Sequence, residues 1–254
     1  MNFQDKPINF GYYNNTISRY KITVPLNIKI MTKILSLFLL LIVTQHGFSQ
    51  TCEETSPYKE GMTLEYTNYN KKGKELSVES HSIESVANED GNLTIYIKSV
   101  EDKEAKDYIL KCINGDFYVD MSNYTALQSK DNNSAFKIKA TGDFLEFPDN
   151  MEVGTVLKDG NIDLAIGDED NSASIATMSV LNRKILAKDS LTIKAGTFDG
   201  YKVSFDYVFQ MGIIKFRGSG IEWYVKGIGI VKSENYSKKG KLRSSRELTK
   251  ITNN

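Results

Sequence analysis

The residues that could do acid, base or nucleophilic chemistry are sparse in this sequence. It contains two histidines in 254 residues and shows no G-x-S-x-G elbow, no phosphate-binding loop, no C-x-x-C pair and no H-E-x-x-H zinc motif. His81 lies in the Ser/Glu-rich segment VESHSIESV. A lone histidine in such a segment is usually a surface residue, because a triad or a metal site needs partners that the segment does not show. We therefore predict no catalytic residue and no enzyme activity, with a hydrolase as the least favoured function.

Two acidic segments could supply oxygen ligands to a cation. Asp159-Gly-Asn-Ile-Asp163 places oxygens at alternate positions. However, Leu164 stands where a calcium loop requires glycine, and no glutamate closes the loop. The segment is therefore interpreted as a hairpin turn, and the run from Asp168 to Asn171 as a solvated loop. We expect no metal site and no cofactor.

The two cysteines, Cys52 and Cys112, are the remaining reactive side chains. An even number of cysteines in an exported chain is what a single structural disulfide needs, and we predict that these two are paired. Two unpaired thiols are the alternative. Lipid attachment at Cys52 is not expected, because Ser49-Gln50-Thr51 precedes it where a lipoprotein signal places an aliphatic residue three positions earlier.

Composition and charge exclude several classes of protein. The hydrophobic share is 40% and the charged share is 25%, which is typical of a globular protein and excludes a disordered or collagen-like chain. Lysine plus arginine equal aspartate plus glutamate at 32 each. Without a basic surplus to neutralise phosphates, binding of nucleic acid is not expected.

The N-terminal region has the pattern of an export signal. Met31-Thr32-Lys33 is a short positive segment, Ile34 to Val43 is apolar, and small residues follow at Gly47 and Ser49. The apolar run has ten residues, about half of what a membrane-spanning helix needs. We predict that residues 1–30 are an upstream extension before a start at Met31, that 31–49 is a cleaved signal peptide, and that no transmembrane span remains. A retained anchor is the alternative.

The chain after residue 50 is dominated by period-two patterns. From Tyr201 to Met211, apolar residues alternate with largely polar ones, as in a strand with one buried face. Shorter alternations recur between turn signals such as Asn114-Gly-Asp116, Lys158-Asp-Gly-Asn161 and Asp199-Gly200. About eleven strands fit, and Asp120 to Lys130 is at most a connector with a turn or two of helix. We predict that 50–254 is one mainly β domain, a single large curled antiparallel sheet that forms a barrel or half-barrel.

Aromatic residues of the C-terminal half form the candidate ligand site. They share a strand face or the next segment, and they are Tyr201, Val203, Phe205, Tyr207, Phe209, Phe216 and Trp223. Such residues could line a cavity, or they could fill an ordinary core, since aromatic side chains in strands are first of all packing units. Glycines are dense between Met211 and Ile230 and indicate that the sheet bends there.

Several strings in this half carry a resemblance to a known family. They are Asn182-Arg183-Lys184, Ala195-Gly-Thr-Phe-Asp199, Glu222-Trp223-Tyr224, Gly227-Ile-Gly-Ile-Val-Lys232 and Tyr236-Ser-Lys-Lys-Gly-Lys241. In this order they resemble the TapB-like family of exported Gram-negative proteins, over most of the chain from Tyr58 to Leu248. The resemblance implies a periplasmic or envelope-associated β-rich domain with no established activity. No catalytic residue can therefore be carried over from the family. In physical terms, Trp223 is interpreted as an anchor of the core.

The sequence leaves two binding functions open. The leading prediction is a periplasmic or outer-membrane-associated protein that holds an apolar or lipid-like ligand, by analogy with half-barrel carriers. The alternative is a structural or adaptor protein of the envelope, whose outer face or edge binds a partner protein. Secretion from the cell is also compatible with the predicted signal.

Overall fold

The computed structural model describes residues 52–124, 138–168 and 171–253, which lie in one compact unit spanning Ser49–Asn254. The predicted upstream extension and signal peptide lie outside the described residues, as do residues 125–137 and 169–170. Among the described residues, no helix is long and apolar enough to cross a membrane.

Strands account for about three quarters of the described residues. The helical elements are the single turn α1 (Cys52–Thr55) and a 3₁₀ helix (Met121–Tyr124), which begins the predicted connector. The strands are β1 (Thr63–Asn70), β2 (Glu75–Glu89), β3 (Asn92–Glu101), β4 (Glu104–Ile113), β5 (Asp116–Asp120), β6 (Ile138–Gly142), β7 (Phe144–Phe147), β8 (Gly160–Asp168), β9 (Asn171–Ile193), β10 (Gly196–Met211), β11 (Ile214–Val225), β12 (Gly229–Ser237) and β13 (Leu242–Thr252).

All of these strands belong to one antiparallel sheet that is nearly closed into a barrel. The order in the sheet is β6-β8-β9-β10-β11-β12-β13-β1-β2-β3-β4-β5-β7, so the two edge strands are β6 and β7. These two strands are separated in the chain by the single residue Asp143. The chain therefore leaves one edge of the sheet and enters the other at Asp143. Backbone hydrogen bonds from Met121 N to Asp143 O (3.3 Å) and from Asp143 N to Asn161 O (2.8 Å) hold this crossing in place.

The predicted curled antiparallel sheet is confirmed, but the described chain has thirteen strands and not eleven. In one place the structure has fewer strands than predicted. The two short alternations at Ile185 and Leu191, which were predicted as separate strands, belong to one 23-residue strand, β9. The register of β9 with β10 shifts between Lys202 and Val203, so β9 carries one extra residue there. A bulge of this kind interrupts the period-two pattern without ending the strand.

Two predicted turns are wrong, and both contain a glycine. Gly160 opens β8 and places Asn161 to Asp163 within the strand, while Gly200 lies inside β10. A Cβ on Gly160 would lie 2.6 Å from Leu145 Cδ2, and a Cβ on Gly200 would lie 2.7 Å from the carbonyl oxygen of Tyr224. These glycines therefore allow close packing and do not form turns. Asn114-Gly115, in contrast, does form the predicted hairpin turn, with φ of 53° and 91°.

The antiparallel order gives the barrel two different ends. At the end called here the disulfide end, the turns β2–β3, β4–β5 and β11–β12 lie near the bond between Cys52 and Cys112. At the opposite end, called the hairpin end, lie the turns β1–β2, β3–β4, β10–β11 and β12–β13, together with the end of β8 and the start of β9. The predicted disulfide is confirmed, with 5.7 Å between the two Cα atoms.

Candidate functional site

A cavity of about 420 Å³ lies inside the hairpin end of the barrel. Its wall contains two kinds of side chain. The apolar part is formed by Met178, Phe205, Tyr207 and Ile230. The polar part includes Glu79, Glu101, Lys106, Glu222 and Arg246.

Two glycines shape the apolar wall. In the register of β10 with β11, Phe205 lies opposite Gly220 and Tyr207 lies opposite Gly218. A Cβ on Gly220 would lie 2.1 Å from Phe205 Cζ, and a Cβ on Gly218 would lie 2.4 Å from Tyr207 Cζ. The two rings therefore pack directly against the β11 backbone at Gly218 and Gly220. They occupy the space that a side chain at either glycine would fill. These glycines make room for the aromatic rings that border the cavity.

The polar wall is organised around Glu79, which is almost fully buried. Its Oε2 lies 3.1 Å from Arg246 Nη2, and its Oε1 lies 3.3 Å from Lys106 Nζ and 3.1 Å from His81 Nε2. The hydroxyl of Ser99 donates a hydrogen bond of 2.6 Å to Oε1. Burial by itself would raise the pKa of Glu79, but Arg246 and the hydrogen bond from His81 lower it well below its usual range. Glu79 is therefore an ionised carboxylate on β2 that connects to side chains of β3, β4 and β13.

His81 is fully buried, so its predicted surface position is wrong. Its Nδ1 lies 2.5 Å from the hydroxyl of Tyr108, and its ring centroid is 4.8 Å from that of Tyr66. Burial lowers the pKa of His81 to about 4, and the hydrogen bond to Glu79 only partly offsets this effect. The imidazole is thus neutral near pH 7 and carries one ring hydrogen. Its Nε2 lies within hydrogen-bonding distance of Glu79 Oε1 and of Arg246 Nη2 (2.9 Å), and its Nδ1 faces the hydroxyl of Tyr108. The sequence contained one indication of this burial. Glu79, His81 and the apolar Ile83 lie at alternate positions and therefore share one face of a strand.

Glu222 is a second buried carboxyl group in the cavity wall. Burial raises the pKa of Glu222 to about 7, although the nearby Arg183, Tyr124 and Arg246 oppose the rise. Arg183 is itself buried, donates from Nη1 to the carbonyl oxygens of Glu146 (3.1 Å) and Lys158 (2.8 Å), and places Cζ 4.7 Å from the centroid of the Phe147 ring. Arg183 and Glu222 both belong to the sequence strings that carried the family resemblance. No functional role was assigned to either of them from the sequence.

The structure brings only part of the predicted ligand site together. Phe205 and Tyr207 line the cavity, while Val203 is fully buried beside them on the same strand face. Tyr201 lies on this face opposite the buried Tyr224.

The remaining predicted residues lie elsewhere. The ring of Phe209 is 6.3 Å from that of Phe216, but Phe216 is 50% exposed near the β10–β11 turn. Trp223 alternates with the buried Glu222 and Tyr224 and is therefore on the outer face. There its ring lies between Lys202 (5.3 Å) and Lys232 (4.8 Å). Trp223 consequently does not face the interior with the other aromatic residues.

The described residues contain no group of three or more histidine, cysteine, aspartate or glutamate side chains that could hold a metal ion. Within the segment that resembles a calcium loop, Asp163 lies in β8 and its Oδ1 accepts a hydrogen bond of 2.5 Å from Ser174 Oγ. The acidic run at 168–171 lies largely outside the described residues.

Comparison with known proteins gives a family and a fold. The sequence model of the DUF3108-like family matches residues 59–248. A structure from Bacteroides fragilis, named as an exported protein with a YmcC-like fold, has a TM-score of 0.66 at 21% identity and covers 78% of this chain and 99% of its own. A structure from Parabacteroides distasonis, named as a lipoprotein, has a TM-score of 0.64 at 23% identity and covers 78% of this chain and 97% of its own. No curated protein matches the chain. The TapB-like label is not among these findings.

Proposed function

The chain belongs to the DUF3108-like family, and from that premise we propose that it is an exported envelope protein whose barrel binds an amphipathic small molecule without transforming it. The observation that carries the proposal is the two-sided cavity at the hairpin end. Its volume of about 420 Å³ falls within the range of small-molecule sites. The TapB-like resemblance in the sequence is consistent with the same placement in the envelope.

The two walls suggest how such a molecule would lie. An apolar chain or ring would pack against Phe205 and Tyr207, where burial of apolar surface supplies the driving force. A polar head group would lie near Glu222 and Arg246, because a buried polar group needs hydrogen-bonding partners. Of the apolar and lipid-like ligands that the sequence pattern suggested, this arrangement favours an amphipathic, lipid-like one.

Binding without catalysis is favoured by the state of the charged groups. Glu79 is held by Arg246, Lys106 and His81, so its charge is already engaged within the protein. His81 is neutral and has no exposed surface. These groups are therefore suited to shape a polar wall and not to exchange protons with a substrate.

Placement in the periplasm or at the outer membrane is supported by three observations. The sequence has a signal-peptide pattern at residues 31–49, and Cys52 and Cys112 form a disulfide, as is usual in oxidising compartments. The two structural relatives are named as an exported protein and a lipoprotein.

Native mass spectrometry of the protein isolated from its own envelope, without refolding, tests this proposal. We expect a co-purifying small molecule, and we expect the emptied protein to bind an apolar fluorescent probe. Phe205→Ala should weaken probe binding by about tenfold, the effect of losing the burial of one aromatic side chain. Trp223→Ala is the matched control: it removes an aromatic ring from the outer face and should leave probe binding unchanged.

The absence of both a co-purifying molecule and probe binding would contradict the ligand-binding function. In that case the alternative function, an envelope adaptor that binds a partner protein, would be favoured. Equal loss of probe binding in Phe205→Ala and Trp223→Ala would also contradict binding in the cavity.

A further inference from the structure

The turn between β10 and β11 forms an apolar tip at the hairpin end, defined here as residues 211–217. Ile213 is fully exposed, at 103% of its reference surface, and Met211, Ile214 and Phe216 are between 44% and 50% exposed. Single exposed apolar residues are common on protein surfaces, whereas a cluster of four within six positions of one hairpin is not. The tip therefore presents apolar surface that the described fold does not cover.

On the β11 side, the tip extends beyond the neighbouring strand β12. The pairing of β11 with β12 begins at Gly218 and Ser237, so residues 214–217 pair only with β10. The rings of Phe209 and Phe216 connect the tip to the strand face that continues through Tyr207 into the cavity wall. On the β10 side, β9 pairs with β10 as far as Thr177 opposite Gln210 and continues to Asn171, so the tip extends beyond its neighbour only on the β12 side. The apolar surface of the tip adjoins the cavity.

The charges around the tip are mainly basic. Lys215 and Arg217 lie within it and are exposed, and the sequence has no acidic residue from Tyr207 to Ile221. The adjacent β12–β13 turn carries Lys238, Lys239 and Lys241, and the β1–β2 turn beyond it carries Lys71, Lys72 and Lys74. The β3–β4 turn, farther along the sheet, is acidic with Glu101, Asp102 and Glu104, and the sequence between β8 and β9 is acidic at positions 168–170. The tip and the β12–β13 and β1–β2 turns together carry eight basic residues and no acidic one.

We propose that the 211–217 tip docks the protein onto a membrane surface that contains anionic phospholipid. Apolar side chains flanked by lysine and arginine are the combination that binds the interface of such a membrane, because the apolar groups enter the acyl boundary while the cations contact the head groups. Docking through this tip brings the cavity close to the lipid surface. The proposal does not depend on the cavity holding a ligand.

Vesicle co-sedimentation of the purified chain tests this docking. We expect binding to vesicles of equal parts phosphatidylcholine and phosphatidylglycerol, weaker binding to phosphatidylcholine alone, and a loss of binding as salt is raised. Ile213→Asp should lower the affinity by about tenfold or more, since it removes one inserted apolar side chain and adds a negative charge. Lys215→Glu combined with Arg217→Glu should lower binding to the anionic vesicles selectively.

Val156→Asp is the matched control, because Val156 is 70% exposed and lies in the segment between β7 and β8, outside the hairpin end. This variant should bind like the unmodified chain. Equal binding by Ile213→Asp and Val156→Asp would overturn the proposal. Absence of vesicle binding, together with self-association that Ile213→Asp abolishes, would also overturn it and assign the tip to contact with a second copy of the chain.

Discussion

The two ends of the barrel use the same strands for different purposes. At the disulfide end the interior is mainly apolar and closely packed: the rings of Phe147 and Tyr224 are stacked with their centroids 4.3 Å apart, and Phe117 and Leu145 are buried nearby. The buried Arg183 lies over the other face of the Phe147 ring. At the hairpin end the interior contains Glu79 with its cationic partners and a cavity. The interior face of a single strand changes from apolar at the disulfide end to polar or open at the hairpin end. In that direction, the residues are Ile83, His81 and Glu79 in β2, Leu110, Tyr108 and Lys106 in β4, and Tyr224, Glu222 and Gly220 in β11.

This difference separates the region that stabilises the fold from the region that carries the proposed site. Burial of apolar surface is the main favourable contribution to folding, and it is concentrated at the disulfide end. Buried charges contribute little net stability, because the cost of removing them from water offsets their attraction. The closely packed disulfide end therefore supplies most of the folding stability. The polar interior of the hairpin end contributes little to it, and this is the region that contains the proposed binding site.

The largest expected effect concerns the ion-pair network of the hairpin end. Arg246→Met leaves the buried charge of Glu79 without its principal partner and should lower the free energy of unfolding by about 3 to 5 kcal/mol in denaturant titration. Lys250→Met is the control, because the Lys250 pair with Glu65 is exposed and should contribute at most about 1 kcal/mol. Losses of equal size in the two variants would show that the buried Arg246–Glu79 pair contributes no more to stability than an exposed ion pair does. Glu79→Gln combined with Arg246→Met should recover part of the stability.

The disulfide is the next largest expected contribution. Replacing Cys52 and Cys112 with serine opens a loop of 60 residues and should lower the free energy of unfolding by about 4 kcal/mol in the chain-entropy description. Thiol titration of the unreduced, denatured protein should detect no free thiol. Two titratable thiols would show that the apolar end is closed by packing alone.

The pH dependence of stability should distinguish the buried titratable groups of the cavity end. The pKa of Glu222 is raised to about 7, so the folded chain retains a proton that the unfolded chain releases, and the stability due to this group falls as pH rises from about 4.5 to 7. The pKa of His81 is lowered to about 4, so its contribution has the opposite sign and rises with pH from about 4 to 6.5. The two slopes oppose each other in the unmodified chain.

Glu222→Gln removes the first slope and leaves the second. Its free energy of unfolding should therefore rise with pH between about 4.5 and 6.5, and above pH 7 it should exceed that of the unmodified chain by up to about 3 kcal/mol. Chemical denaturation at a series of pH values measures both effects. Superimposable pH profiles for the two proteins would mean that Glu222 is solvated and is not a buried group of the cavity.

The smallest expected effect is the difference in stability loss, about 2 kcal/mol, between the same substitution at the two ends. Phe147→Ala should cost about 3 to 5 kcal/mol, because the ring is fully buried between Arg183 and Tyr224. Phe205→Ala should cost about 2 kcal/mol less, since its ring borders a cavity and its loss enlarges a space that is already open. Equal losses in thermal or denaturant unfolding would indicate that the hairpin end is packed as tightly as the disulfide end.

Much of the fold could be predicted from the sequence, and little of the polar site. Alternation from Tyr201 to Met211 correctly identified β10 and its inner face, including Phe205 and Tyr207. The same reasoning misplaced His81, because a polar residue on a strand looks alike whether its face is turned to solvent or to the interior. Glu222 was not recognised as a candidate for the same reason.

The sequence by itself determined the antiparallel β class, the spacing of many strands and the availability of two cysteines for one disulfide, because these depend on local alternation, turn residues and composition. Only the tertiary structure decided how the sheet closes through Asp143 and which polar side chains meet inside it. Arg246 reaches His81 across 165 positions in the chain, and this contact exists only because β13 is paired with β1. Closure of the barrel sets which strands face one another across the interior, and that arrangement converts scattered polar residues into the two-sided wall of one cavity.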